Sequence, residues 1–206
     1  MAKREDVFIV GMNITKHEAH AANREKTMLR AAQGVYFRAG VSAEVLFKTY
    51  GMRLVNYCFK NVALTHSTAW YKRPVDGRIF VGGEYPYKKV IAPYAGDFRI
   101  VQSMVHPQFD DVRMYEKICF RDSFGDFEMY CSTMEMILIQ LMDATKQNVE
   151  KHLPDVEIEK IIDLLRLKYG SKSSVLTALE EIAQAADKQN EFDRLLKLYF
   201  FQRRRS

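Results

Sequence analysis

NVALTHSTAWYKRP at residues 61–74, RIFVGG at 78–83, FRIVQSM at 98–104, KICFRDSFGDFEMYC at 117–131 and STMEMILIQLMDA at 132–144 form the stretch that decides the fold. Ala63 to Ala69 read as the start of a short apolar helix. Arg73-Pro74 ends it, because proline restricts the residue before it and carries no amide donor. RIFVGG and FRIVQSM are rich in β-branched and aromatic side chains and read as strands. KICFR and DFEMYC flank Asp122-Ser123-Phe124-Gly125, four turn-forming residues, which predicts a hairpin. Ser132 and Glu135 stand in capping-box spacing ahead of the apolar run Met136–Met142, which is too short to span a bilayer and reads as a core helix. The stretch describes a small helix-plus-sheet core.

Working outward toward the N-terminus, VFIVGM (7–12) is a strand or a packing arm. Thr15 and Glu18 repeat the capping-box spacing before KHEAHAANREKTMLRAAQG, and Gly34 supplies a stop. That spacing predicts one helix with Ala19, Ala22, Met28, Leu29 and Ala32 on its apolar side. Gly34-Val35-Tyr36-Phe37-Arg38-Ala39-Gly40 is an aromatic strand bounded by glycines. A basic helix followed by such a strand has the order of a recognition helix and its wing. Ser42 then caps a helix carrying Val45, Leu46, Tyr50, Leu54 and Tyr57.

Toward the C-terminus, residues 82–97 and 104–116 read as loops, and 144–153 as a partly helical linker. Pro154-Asp155 starts a helix with Ile158, Ile161, Ile162 and Leu165 on one face and Gly170 as its stop. Ser171 or Ser173 caps a second helix that buries Val175, Leu176, Leu179, Ile182, Ala183 and Ala186, and EFDRLLKLYFFQRRR forms a last amphipathic helix. The fold class is α+β: a small N-terminal winged-helix-like module, a mixed helix/sheet core and a C-terminal helical set.

With 48% hydrophobic residues the chain can bury a sizeable core, which excludes global disorder. No apolar stretch has the length of a membrane span, and MAKREDVFIVGMN lacks the apolar region of a secretory signal. Cys58, Cys119 and Cys131 are an odd, widely spaced set, which points to a reduced cytoplasmic chain rather than a disulfide framework or a zinc site. Cys119 and Cys131 lie on the two hairpin strands and could face one another, but two small core thiols are the simpler reading.

Charge is distributed unevenly. Net values are +3 over residues 1–50, +5 over 51–100, −5 over 101–150 and +2 over 151–206. A basic first half is the footprint expected of a nucleic-acid binder, and an acidic third quarter could dock a basic protein. Catalytic signatures are missing: the sequence has no phosphate-binding glycine loop, HExxH helix, CxxC pair or GxSxG elbow. His17 and His20 could touch one metal, but no third ligand is near, so a polar helix surface is the better reading. His66-Ser67 is a sequence neighbourhood, not a triad. The chain reads as a non-enzyme with no cofactor and no metal.

The order of these segments resembles the AbiEi family of bacterial type IV antitoxins and transcriptional regulators. LRAAQGVYFRAG (29–40) resembles the end of a winged helix-turn-helix, and ALTHSTAWYKRP (63–74) the segment opening the family's C-terminal domain. RIFVGG is similar to its first core strand, CSTMEMILIQLMD (131–143) to the helix after the last strand, and LRLKYGSKSSVLTALEEIAQA (165–185) to its helical tail. The first helix of a full winged helix-turn-helix is absent or replaced by VFIVGM, and Thr133 stands where the family has proline. The resemblance implies a degenerate winged-helix-like module at 1–41 and an AbiEi-like C-terminal domain at 42–206, with a sheet core at 61–143 and a helical tail at 150–206. It implies a DNA-binding regulator that represses its own operon at promoter repeats and has a nucleotidyltransferase toxin or another protein as partner.

On that reading Lys16, His17, Arg24, Lys26 and Arg30 are the helix contacts to double-stranded DNA, with Arg38 on the wing. Arg53, Lys72, Arg73, Arg78, Lys88 and Lys89 could extend the footprint. The alternative is a protein-interaction module of a defence complex that has lost DNA reading.

Overall fold

The computed structural model describes residues 4–83, 99–104, 108–143 and 152–201. The architecture is α+β, with two sheets and a helical set around a main hydrophobic core and a smaller cluster of Ala63, Met114, Tyr115, Met136 and Ile182. A 3-10 turn (Arg4–Asp6) leads into β1 (Val7–Ile9). Then come α1 (Lys16–Arg24), β2 (Met28–Ala32) and β3 (Val35–Arg38). The three strands make an antiparallel sheet in the order β1-β3-β2. Val7, Ile9, Ala31, Val35 and Phe37 turn inward and merge with the main core.

The expected single helix through Gly34 is corrected: α1 stops at Arg24. Lys26 takes a left-handed conformation, φ 61°, which reverses the chain, and the backbone of Met28–Ala32 then pairs with β3 instead of with itself. Met28 and Ala32 are half-buried on a strand and Leu29 is exposed, so the apolar helix face drawn from them does not exist. One helix separates β1 from β2, where a helix-turn-helix needs two.

α2 (Ala43–Cys58) carries the chain to the second sheet and buries Leu46, Phe47, Tyr50, Leu54 and Val55. Its Tyr57 hydroxyl donates to the Val10 carbonyl at 3.0 Å, tying it to the first module. The second sheet contains β4 (Val62–Leu64), β5 (Arg78–Gly83), β6 (Arg99–Met104), β7 (Tyr115–Asp122) and β8 (Gly125–Ser132). Its order is β6-β5-β4-β8-β7, with β4 parallel to β8 and β5 parallel to β6. α3 (His66–Tyr71) and α4 (Met134–Leu141) pack together beside it.

β5, β6 and the hairpin stand where the sequence puts them. Ala63 and Leu64 do not start a helix: they are strand, held between β5 and β8, and the helix begins only at His66. The capping box at α4 is also corrected. Thr133 is the cap and accepts from the Met136 amide at 3.4 Å. Ser132 instead donates to the Leu64 carbonyl, while Glu135 is buried and accepts from Lys168 Nζ at 2.8 Å and the Tyr169 hydroxyl at 2.7 Å.

α5 (Asp155–Tyr169), α6 (Lys172–Ala185) and α7 (Gln189–Leu195), the last running into a π turn at Leu196–Phe200, complete the core. α4 touches all three helices and is therefore the post around which they gather. Gly170 ends α5 at φ 77°, where a side chain would be strained, and Ser171 caps α6. Residues 84–98, 105–107 and 144–151, which hold most of the expected loops and linker, lie outside the described residues.

Cys119 and Cys131 do not face one another. Cys119 pairs with Glu128 and Cys131 with Glu116, and Cys119 is exposed rather than in the core. Burial pushes the Cys131 thiol up to about 12. Because the thiolate is the reactive form, iodoacetamide at pH 8 should label Cys119 in the native chain and Cys131 only after unfolding. Native labelling of Cys131 as fast as Cys119, read by peptide mass mapping, would contradict its place in the core.

Candidate nucleic-acid interface

α1 is held by its first turn. The Thr15 hydroxyl accepts from the Glu18 amide at 3.3 Å, and Glu18 Oε2 accepts from the Thr15 amide at 2.9 Å and the Thr15 hydroxyl at 2.6 Å. These bonds hold the Glu18 carboxyl below the usual glutamate range. They also hold that carboxylate on its own cap, where His17 is a further charge that favours its ionised form. Ala19 is buried and Ala21 and Ala22 are half-buried, so small side chains let the helix lie close on β2.

The opposite side is open. Lys16, His17, His20 and Arg24 are all exposed. At 3.6 residues per turn, Lys16, His20 and Arg24 (i, i+4, i+8) fall within roughly 80° of arc along about 12 Å of helix, with His17 beside them. Lys26 follows on the reversing turn, and Arg30 is exposed on β2, its Nε donating weakly to the Ala32 carbonyl at 3.4 Å. Among the described residues, no carboxylate forms an ion pair with Lys16, Arg24, Lys26 or Arg30. These exposed cations outnumber the two exposed carboxylates of the same segment, Glu18 and Glu25, and an excess of positive charge attracts a polyanion from a distance.

Arg38 is exposed but has partners of its own. Its guanidinium donates to the Glu5 carbonyl at 3.2 and 2.7 Å and lies 3.5 Å from Asp6, so it closes the N-terminal turn onto β3. Arg30 stands on a strand, not on the helix on which the sequence placed it. His20 is the group that sequence reading left out of the contact set, although its spacing of four from both Lys16 and Arg24 could have found it.

The wider basic footprint shrinks. Arg53 is 5% exposed and forms a two-point ion pair with Asp122. Lys72 and Arg73 are exposed, Arg78 is half-buried, and Lys88 and Lys89 lie outside the described residues. Four of the nine acidic groups in the third quarter are paired within the chain: Asp111 with Arg113, Asp122 with Arg53, Asp126 with Arg121 and Glu135 with Lys168.

His66 and Ser67 are buried where β4 passes into α3. His66 has φ 49° and donates its amide to Gln140 Oε1 at 3.2 Å, while Gln140 Nε2 donates to the Ser132 hydroxyl at 3.0 Å. This network locks the strand-to-helix turn against α4, and both side chains are buried. No cluster of three or more potential metal ligands occurs among the described residues, and none of their helices is long and apolar enough to cross a membrane. No known protein family's model matches the chain, and no curated protein matches it.

Proposed function

We propose that this chain is a non-enzymatic, cytoplasmic DNA-binding regulator of the antitoxin type, which docks on duplex phosphates through the solvent face of α1. The observation that carries the reading is the exposed set Lys16, His17, His20 and Arg24, continued by Lys26 and Arg30 and opposed by no ion-paired carboxylate among the described residues. The antitoxin role, with autoregulation at promoter repeats and a nucleotidyltransferase toxin as partner, rests on the AbiEi resemblance. With a single helix available, phosphate contacts supply most of the affinity and sequence readout is limited.

Fluorescence anisotropy with the chain's own upstream duplex tests this. Four lysine and arginine contacts give a log–log salt slope of roughly −3.6, so affinity should fall on the order of 100-fold between about 50 and about 200 mM salt. Changing Lys16, Arg24 and Arg30 together to Gln should flatten that slope by about 2.7. No binding at about 50 mM salt would remove the reading. It would favour the protein-interaction module, which the single helix in place of two already supports.

A further inference from the structure

We infer that His17 and His20 make the α1 surface a proton-gated phosphate-binding face, one that grips a polyanion more tightly as the pH falls below neutrality. The inference rests on the DNA-binding reading above and adds its regulation. His20 lies between Lys16 and Arg24 on one stripe, and His17 borders that stripe, so each imidazole shares the surface that meets the phosphates.

The charged groups around them leave little to compensate an added proton. On α1 and its ends these are Lys16, Glu18, Arg24 and Glu25; the turn adds Lys26, and β2, which packs against α1, adds Arg30. Glu18 is committed to the Thr15 cap. Glu18 still attracts a charge on His17, so His20, flanked by Lys16 and Arg24, is the imidazole with less carboxylate competition for a phosphate. Histidine is the side chain type whose charge responds to pH near neutrality, which makes the two imidazoles the groups through which pH would act on this face.

Each imidazolium that meets a phosphate adds about 0.9 to the magnitude of the log–log salt slope, which corresponds to roughly eightfold in affinity at about 0.1 M salt. Two of them give on the order of 30-fold or more between about pH 7.8 and about pH 5.8, allowing for incomplete protonation. The helix itself survives this window. The depressed Glu18 carboxyl contributes its capping above the ordinary glutamate range and loses it only as the pH falls through the lower folded value.

The test is anisotropy with a labelled duplex at about pH 5.8 and about pH 7.8 at fixed ionic strength, with circular dichroism confirming the fold at both. The wild-type chain should bind about 30-fold tighter at the lower pH, with a salt slope steeper by up to about 1.8. The His17→Gln/His20→Gln variant should show the same slope at both pH values. Salt-dependent binding by the wild type that ignores pH would overturn the gate while leaving the DNA-binding reading intact. A pH gain that persists in the double variant would also overturn it. Absence of binding at both pH values would overturn the DNA-binding reading itself.

Discussion

Replacing Arg53 with methionine should destabilise the chain by about 3–5 kcal/mol, because it leaves the carboxylate of Asp122 buried without its counter-charge. Arg53 Nε and Nη2 donate to Asp122 Oδ2 and Oδ1 at 2.9 and 2.8 Å, Nη2 also reaches the Gly125 carbonyl, and the guanidinium lies 4.0 Å from the centre of the Phe127 ring. The two side chains are 6% and 10% exposed, so water screens little of this. The pair fastens α2 to the β7–β8 turn, and Asp122 Oδ1 also accepts from the Phe124 amide at 2.8 Å inside that turn. At this chain length such a loss lowers the melting temperature by roughly 10 °C. Changing Arg53 to Met and Asp122 to Leu together should recover most of it, since an apolar pair of similar volume costs little, leaving about 1 kcal/mol for the lost turn bond. Urea unfolding of the single and double variants reads both values. A single variant within about 1 kcal/mol of wild type would mean that the pair is solvated.

Gly83→Ala should be at least as damaging. Gly83 ends β5 opposite Val62 of β4 with φ 150°, a backbone state that L side chains rarely adopt. A Cβ there would meet the Asn61 carbonyl oxygen at 2.1 Å and Val62 Cα at 2.9 Å. Those atoms are backbone of the central strand, so they cannot swing aside without opening the β4–β5 ladder. A loss of roughly 4 kcal/mol or more is expected, at the extreme for one substitution. Gly34→Ala should cost less, because its Cβ would meet the Tyr57 hydroxyl at 2.5 Å, the far end of a side chain, so that its cost is the strain at φ 78° and the loosened bond to Val10. Equal unfolding midpoints for wild type and Gly83→Ala would contradict the β4–β5 register.

The parts of this fold that were legible in sequence are those set by local signals. The hairpin follows from Asp122-Ser123-Phe124-Gly125, α5 from its apolar period and Gly170, and the start of α1 from Thr15 and Glu18. What sequence reading missed was decided at a distance. Val62-Ala63-Leu64 is a continuous apolar run, which periodicity cannot assign to strand or helix. Its parallel pairing with β8, more than sixty residues on, makes it a strand. Residues 25–30 hold ordinary helix formers with no glycine or proline to mark a break, and pairing with β3 overrides them. Ser132 was read as a cap because its spacing to Glu135 fits, yet both side chains are claimed by Leu64, Gln140, Lys168 and Tyr169. A lone arginine on a helix gives no sign of burial when its partner lies 69 residues away.

The candidate site was more legible than its scaffold. Lys16, His17, Arg24, Lys26 and Arg30 are exposed although the expected helix ends at Arg24 and gives way to a turn and a strand, because surface charge depends on polarity more than on element type. Arg38, expected on the wing, is exposed on β3 and bonded to the Glu5 carbonyl and Asp6.

Mapping the duplex footprint on the chain by amide shifts in NMR, at about 50 mM salt, tests the central claim most directly. Perturbations concentrated in residues 15–30 and weak in the β7–β8 hairpin are the predicted result. A footprint centred elsewhere on the chain, with α1 unmoved at saturating duplex, would contradict the assignment of this helix as the DNA-binding face.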